Sequence, residues 1–143
     1  MKLNLGCGSQ WRDSPEHFGL DIIDYGQKHV GDVLELLKDF PYGGIYDEVM
    51  AIHFLEHFNQ DELKTIFKEV NRILKLAGIF RIQVPHKDKV KSWCLSHKTF
   101  WNEYTLSWLK RPDADEVYGF GKWGVKSIIT SSVGNIDAIL IKL

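Results

Sequence analysis

The sequence predicts an α/β fold: a doubly wound, mostly parallel sheet of about seven strands that closes with an antiparallel hairpin. Three observations predict it. Short strand-like segments near the N-terminus end repeatedly in glycine or an acid. A strongly periodic helix over 60–76 lies between two further strand patterns, which makes a parallel crossover. Two apolar segments joined around Val133-Gly134-Asn135 read as a terminal hairpin. With 143 residues the chain fits one domain, 1–143.

In order, Lys2-Leu3-Asn4-Leu5 is the first strand, ending in Gly6-Cys7-Gly8. His17-Phe18-Gly19-Leu20-Asp21-Ile22 is the second and His29-Val30-Gly31-Asp32 the third, each bringing an acid to its end. Asp47-Glu48-Val49-Met50-Ala51-Ile52 is the fourth, and Ile79-Phe80-Arg81-Ile82-Gln83-Val84, closed by Pro85, the fifth. Between these two, Leu63, Ile66, Phe67, Val70, Ile73 and Leu74 recur on one helical face. Asn59 and Glu62 make a capping box at its start, and Gly78 is placed to end it. Residues 95–110 carry a second helical pattern, rich in aromatics, broken by Arg111-Pro112-Asp113-Ala114-Asp115. The hairpin strands run over 125–130 and 136–141.

Hydrophobic residues make up 44% and charged residues 26%, an ordinary globular composition. No apolar run approaches the ~18 residues of a membrane span. The N-terminus shows no signal-peptide core, so a cytoplasmic location is the expectation. Cys7 and Cys94 make no disulfide framework. A net charge of −1 gives no polyanion signal, and His86-Lys87-Asp88-Lys89-Val90-Lys91 reads as a solvated loop. A nucleic-acid footprint would combine many more cations with aromatic platforms.

The chemistry concentrates at strand ends. In an open α/β sheet a ligand sits beyond the carboxyl ends of the strands. Gly6 and Gly8 permit a tight turn and close approach of a ligand to the backbone. Asp21 can accept from both hydroxyls of a ribose, and Asp32 from an adenine amino group. A glycine turn followed by two strand-end acids is the layout of an adenosine pocket.

These residues carry a family resemblance. Leu3-Asn4-Leu5-Gly6-Cys7-Gly8 resembles the first motif of class I S-adenosylmethionine-dependent methyltransferases, and Gly19-Leu20-Asp21-Ile22 their second. Tyr46-Asp47-Glu48-Val49 with His53-Phe54-Leu55-Glu56-His57 resembles the segment after strand four in the type 11 group. Val70-Asn71-Arg72-Ile73-Leu74-Lys75-Leu76-Ala77-Gly78 resembles their hRhLKPGG element. The match runs in order over about residues 2–101.

The resemblance implies a Rossmann-like fold and S-adenosylmethionine, with S-adenosylhomocysteine as its product. Gly6, Cys7 and Gly8 would approach its methionine and ribose, Asp21 and Ile22 the ribose region, and Asp32 the adenine. Ile52 and His53 would border the methyl group. His53 would act as a general base on an acceptor hydroxyl or amine, or pack on the cofactor without a proton role. His57, His86, His97 and Trp101 fall to the substrate side, with His97-Lys98-Thr99-Phe100-Trp101 similar to a His-Lys-x-Phe segment of related proteins.

The chain departs from the family at several points. Asn4 replaces an acid, Gln10 a third glycine, and Leu76-Ala77 a Pro-Gly pair. Only twelve residues, including Pro15, separate Gly8 from Asp21, so the first crossover is a loop or a single turn. The first strand pattern starts at Lys2, so the helices that usually precede strand one are not expected. Residues 86–124 are then expected to supply a substrate wall and a lid hinged at Gly119-Phe120-Gly121.

Other readings stay open. His53-x-x-Glu56-His57 matches the H-x-x-E-H pattern of zinc peptidases, but His53 falls near a strand end and no third ligand is signalled, so no metal is expected. A nicotinamide dehydrogenase would want G-x-G-x-x-G and an acid about 20 residues on, and neither is present. A non-catalytic nucleoside-binding or partner subunit of the same fold is the main alternative. The acceptor is expected to be a small-molecule or sugar oxygen or nitrogen. No Asn/Asp-Pro-Pro-Tyr/Phe motif follows strand four, which disfavours DNA. A homo-oligomer stays open.

Overall fold

The computed structural model describes residues 1–143. Its strands are β1 (Lys2–Leu5), β2 (His17–Asp21), β3 (His29–Val30), β4 (Tyr46–Ile52), β5 (Leu74–Pro85), β6 (Trp123–Thr130) and β7 (Asn135–Lys142). Its α-helices are α1 (Val33–Asp39), α2 (Gln60–Ile73) and α3 (Ala114–Tyr118). The seven strands form one sheet in the order β3-β2-β1-β4-β5-β7-β6. β1 to β5 are parallel, and β7 runs antiparallel to both β5 and β6. This is the mostly parallel α/β sheet with a terminal hairpin that the strand patterns predict.

Strand alternation decides where the core lies. Leu3, Leu5, Leu20, Val49, Ala51, Phe80, Ile82, Ala138 and Leu140 fall on one face and are all buried. α2 lays Leu63, Ile66, Phe67, Val70 and Ile73 onto it. The Phe67 ring meets Phe80 edge-on at 5.4 Å and Trp123 at 6.2 Å. Burial of each such side chain is worth about 1.5–3 kcal/mol. The Asn59–Glu62 capping box is present, so α2 starts where the sequence places it.

The opposite rows of the sheet are more polar. Glu48 pairs with Lys2 at 3.3 Å and Arg81 at 3.0 Å, and Gln83 donates to Asp137 at 2.7 Å. No helix follows β1 to cover these rows: residues 9–16 run as turns and irregular chain, as the short spacing requires. The winding on this side is reduced to loops. Asp13 fastens them, because its carboxylate accepts from Trp11 Nε1, Gly19 N and Lys28 N at 2.7–2.8 Å. Gly19 has to be glycine here, since a Cβ would come within 2.6 Å of Trp11 Cδ1 and 2.7 Å of Cys7 Sγ.

Three elements differ from expectation. α2 ends at Ile73 instead of Leu76, and β5 begins at the next residue. The carbonyls of Arg72 and Ile73 accept from Gly44 N and Ile45 N, at 3.0 and 2.9 Å, and Leu74 pairs with Tyr46. Sheet partners therefore replace the glycine cap. The helical pattern over 95–110 does not form a helix, apart from a 3-10 turn at Ser107–Lys110. Lys98 N and Thr99 N donate to Glu56 O, His86 bridges to Trp101, and Asn102 Oδ1 takes Tyr104 N in a side-chain turn. The third strand ends at Val30, so Asp32 is not its terminal acid; instead it caps α1, a helix the strand pattern does not predict, by accepting from Leu34 N at 2.8 Å.

Two outcomes follow from these contacts. Ala77 holds φ at 61°, in the left-handed region that costs a side chain about 1–2 kcal/mol. Ala77→Gly should therefore raise stability by about 1 kcal/mol after the entropy of the added glycine is offset, read from urea denaturation midpoints. Partial desolvation opposes the charge of Asp13, but its N–H donors from Gly19, Trp11 and Lys28 outweigh this and hold the carboxyl below its ordinary value of 3.8. Its contribution is complete above pH 3.8 and is lost as pH falls through the lower folded value. The stability gap between the natural protein and Asp13→Asn should be widest above that pH and narrow below it, measured by denaturation across an acid series.

Candidate active site

Because β1 to β5 are parallel, their carboxyl ends share one edge. The strand order reverses at β1, with β2 and β3 on one side and β4 and β5 on the other. That reversal opens the crevice in which α/β sheets hold ligands. Gly6, Cys7 and Gly8 leave β1 there, Asp21 ends β2, Asp32 follows β3, and His53 follows β4.

The glycine turn and Asp21 are built as one unit. Gly6 N and Cys7 N donate to Leu20 O at 2.8 and 3.1 Å. Gly8 N donates to Asp21 Oδ2 at 2.9 Å and Ile23 N to Oδ1 at 3.1 Å. A carboxylate offers about four lone-pair sites. Two therefore remain on Asp21, enough for a vicinal diol. Gly8 lies at φ 72° with open space where a Cβ would stand. Cys7 takes part through its backbone: burial first, then the charges of Asp21 and Asp13, push its thiol up to about 11, so it stays protonated.

Beside this unit is a cavity of about 300 Å³, lined by Asp21, Ile22, Asp32, Leu34, Phe54 and Phe58 among others. Its apolar walls and two edge carboxylates suit a purine nucleoside. Phe54 and Phe58 pack edge-on at 4.9 Å. The Phe54 ring also covers Gly6 so closely that a Cβ there would lie 2.2 Å from it. Neither phenylalanine was singled out from the sequence, although Phe54 directly follows His53 at the end of β4.

A second cavity, about 570 Å³, opens on the other side of the 3-10 turn Leu55–His57. His53, Glu56, His57, Lys91, Cys94 and His97 are among its lining residues. His57 borders both cavities. His53 has φ 50°, a strained conformation for a side-chain-bearing residue, fixed by its N–H donating to Gln83 O at 2.8 Å. Its ring is half-exposed, with Nδ1 3.8 Å from the Glu56 carboxylate. Ile52 ends β4 beside it. A hydrogen bond with the Ser96 hydroxyl, at 3.3 Å, holds the exposed Cys94 thiol below its ordinary pKa.

The remaining expected site residues lie elsewhere. His86 faces a separate surface recess with Asp88 and Glu103. Its Nδ1 accepts from Asp88 N, so Nε2 donates to Glu103 at 3.2 Å. Trp101 is 2% exposed in the core and gives its indole N–H to Thr99 Oγ1. The residues thought to form a hinge are tied to α2. Gly119 caps α3 in the left-handed region, Gly121 N donates to Asp115 at 2.7 Å, and Phe120 meets Phe67 at 5.6 Å. The part of 86–124 that borders the His53 cavity is 89–97.

No family model matches the chain, and no curated protein does. Solved structures do. A SAM-dependent methyltransferase from Archaeoglobus fulgidus aligns with a TM-score of 0.69 at 18% identity, over 99% of this chain and 85% of its own. One from Methanosarcina mazei aligns with a TM-score of 0.65 at 15% identity, over 99% and 92%. The Burkholderia thailandensis 1,6-didemethyltoxoflavin-N1-methyltransferase, solved with 1,6-didemethyltoxoflavin and S-adenosylhomocysteine, gives 0.68 at 14%, over 99% and 70%. The chain thus has the Rossmann-like fold of the class I S-adenosylmethionine-dependent methyltransferases.

The two glycines of the first turn should respond differently to substitution. Gly8→Ala carries only left-handed strain and should lose about 1–2 kcal/mol. Gly6→Ala adds the collision with Phe54 and should lose clearly more, measured side by side by chemical denaturation.

Proposed function

We propose that this chain transfers the methyl group of S-adenosylmethionine to an oxygen or nitrogen of a small molecule. The observation that carries this reading is the Gly8–Asp21 unit beside the apolar cavity. Two free lone-pair sites on a fixed carboxylate face a slot walled by Phe54, Phe58 and Leu34. Asp21 would hold the ribose diol. Asp32 uses one oxygen on Leu34 N, and the other would accept from the adenine amino group. The left-handed glycines would let the methionine part approach the backbone.

When bound, the cofactor would supply an electrophilic sulfonium methyl that an acceptor lone pair could displace, with S-adenosylhomocysteine as the leaving group. What the chain supplies is chiefly position, since an in-line displacement gains most from orientation. Ile52 and His53 would border the methyl, at the boundary between the two cavities. His53 would take the proton an acceptor hydroxyl or amine releases, and residues 89–97 would wall the acceptor. No helix is long and apolar enough to cross a membrane.

Calorimetry tests the reading. S-adenosylhomocysteine should bind, and Asp21→Ala should weaken it by about 1.5–3 kcal/mol, the range for hydrogen bonds to a charged group. Unchanged affinity in that variant would remove the ribose assignment. Binding of NAD in place of S-adenosylhomocysteine would move the chain to another class.

A further inference from the structure

We propose that Glu56, His57 and His97 form a three-ligand site for a divalent transition metal of the zinc type, open toward the cavity beside His53. Their ligand atoms all lie within 4.8 Å of one another. Around a tetrahedral zinc ion such atoms are roughly 3.4 Å apart, given metal–ligand bonds of about 2.0–2.2 Å. Metal binding would draw the side chains together by roughly 1 Å, at the Glu56–His97 pair, now 4.0 Å apart, as well as at the partly exposed His57.

Three features mark this cluster off from an ordinary polar surface group. The first is Glu56, only 2% exposed, whose Oε2 is buried with no hydrogen-bond partner. His53 and His97 both approach the other oxygen, Oε1, at 3.8 and 4.0 Å. Pairing with either histidine therefore leaves Oε2 unsatisfied. A buried carboxylate oxygen without a partner is costly, and a bound cation removes that cost.

The second is the orientation of the histidines. His57 Nδ1 lies 3.2 Å from Ser96 O, and His97 Nδ1 lies 2.8 Å from Ser92 O. A carbonyl can only accept, so both Nδ1 atoms carry the hydrogen and both Nε2 atoms keep a lone pair. Metal-ligating histidines are held in this way, with the second nitrogen donating to a carbonyl or carboxylate. The third is rigidity. Glu56 O accepts from Lys98 N and Thr99 N at 2.8 and 3.2 Å, which locks the His97 segment against the Glu56 turn.

The arrangement is not that of a zinc peptidase. There the two histidines of H-x-x-E-H bind the metal and the glutamate acts as base. Here His53, on a strained turn, approaches Glu56 but lies outside the group that Glu56 forms with His57 and His97, Glu56 is a ligand, and the third ligand comes from forty residues on. Three protein ligands with a fourth position free is the pattern of an open, substrate-accessible site. Glu56, His57 and His97 line the same cavity as His53, Lys91 and Cys94, so a fourth ligand would enter from there. If methyl transfer is as proposed, the metal would hold and polarise the acceptor; this role alone rests on that reading.

Titration of the chelator-treated full chain with Zn²⁺, followed by calorimetry, decides the matter. One zinc per chain is expected. His57→Ala and His97→Ala should each weaken it roughly 100-fold or more, beyond the 10–100-fold that outer-shell groups carry. His86→Ala, outside the cluster, should bind as the natural protein does. X-ray absorption of the natural zinc-loaded chain should show two imidazoles at about 2.0–2.1 Å, and it decides even if a variant does not fold. No zinc binding by the natural protein, unchanged binding in both histidine variants, or a sulfur shell at about 2.3 Å from Cys94 would overturn the site. S-adenosylhomocysteine binding measured in parallel separates the two proposals: zinc lost with that ligand retained overturns only the metal, and the reverse overturns only the cofactor reading.

Discussion

β1 is hydrogen-bonded in parallel on both sides, to β2 and to β4, and everything functional hangs on that placement. A strand so placed is buried on both flanks, so its carboxyl end cannot drift relative to its neighbours. Leu5 stands level with Leu20 on one side and Ala51 on the other. The chain therefore leaves β1, β2 and β4 at one level, and Gly6, Asp21 and His53 come to the same edge of the sheet although they are far apart in sequence. The bond from Gly8 N to Asp21 closes this arrangement across the β1–β2 edge.

The short first crossover changes what supports that edge. A helix after β1 would ordinarily pack on the polar side of the sheet. Here a single carboxylate, Asp13, gathers three donors and ties the loop to β2 and to the approach of β3. Trp11 and the Cys7 side chain fill the space over Gly19. The exchange is unequal, since hydrogen bonds hold less area than a helix. Lys2, Glu48, Arg81, Gln83 and Asp137 satisfy one another on the rows left without a helix.

The 3-10 turn Leu55–His57 divides the site. Leu55 is fully buried and anchors it, Phe54 turns toward Gly6, and Glu56 turns inward beneath His97. Consecutive residues of this turn thus line two different cavities. His57 belongs to both. The strained backbone of His53 at its entry fits this division, because strain of that kind persists only where the surroundings fix it, as Gln83 O does here.

The carboxyl ends of β1, β2, β4 and β5, the glycine turn, Asp21 and the start of α2 were legible in the sequence. Each depends on local chemistry: alternation of burial, freedom at positive φ, or a side chain that caps its own helix. The end of α2 was not legible, because its last carbonyls are taken by Gly44 and Ile45 from a distant segment. Nor was the fate of 95–110, whose aromatic periodicity imitates a helix while Glu56 and His86 claim its backbone. His97 and Trp101 illustrate the difference: four residues apart, one joins the Glu56–His57 cluster and the other enters the core. The sequence by itself determined the sheet, its crevice and the Gly8–Asp21 side of it, since these follow from spacing along single strands. Only the tertiary structure decided the Glu56–His57–His97 side, because its members come from separate turns and are brought together by long-range backbone hydrogen bonds that no local pattern records.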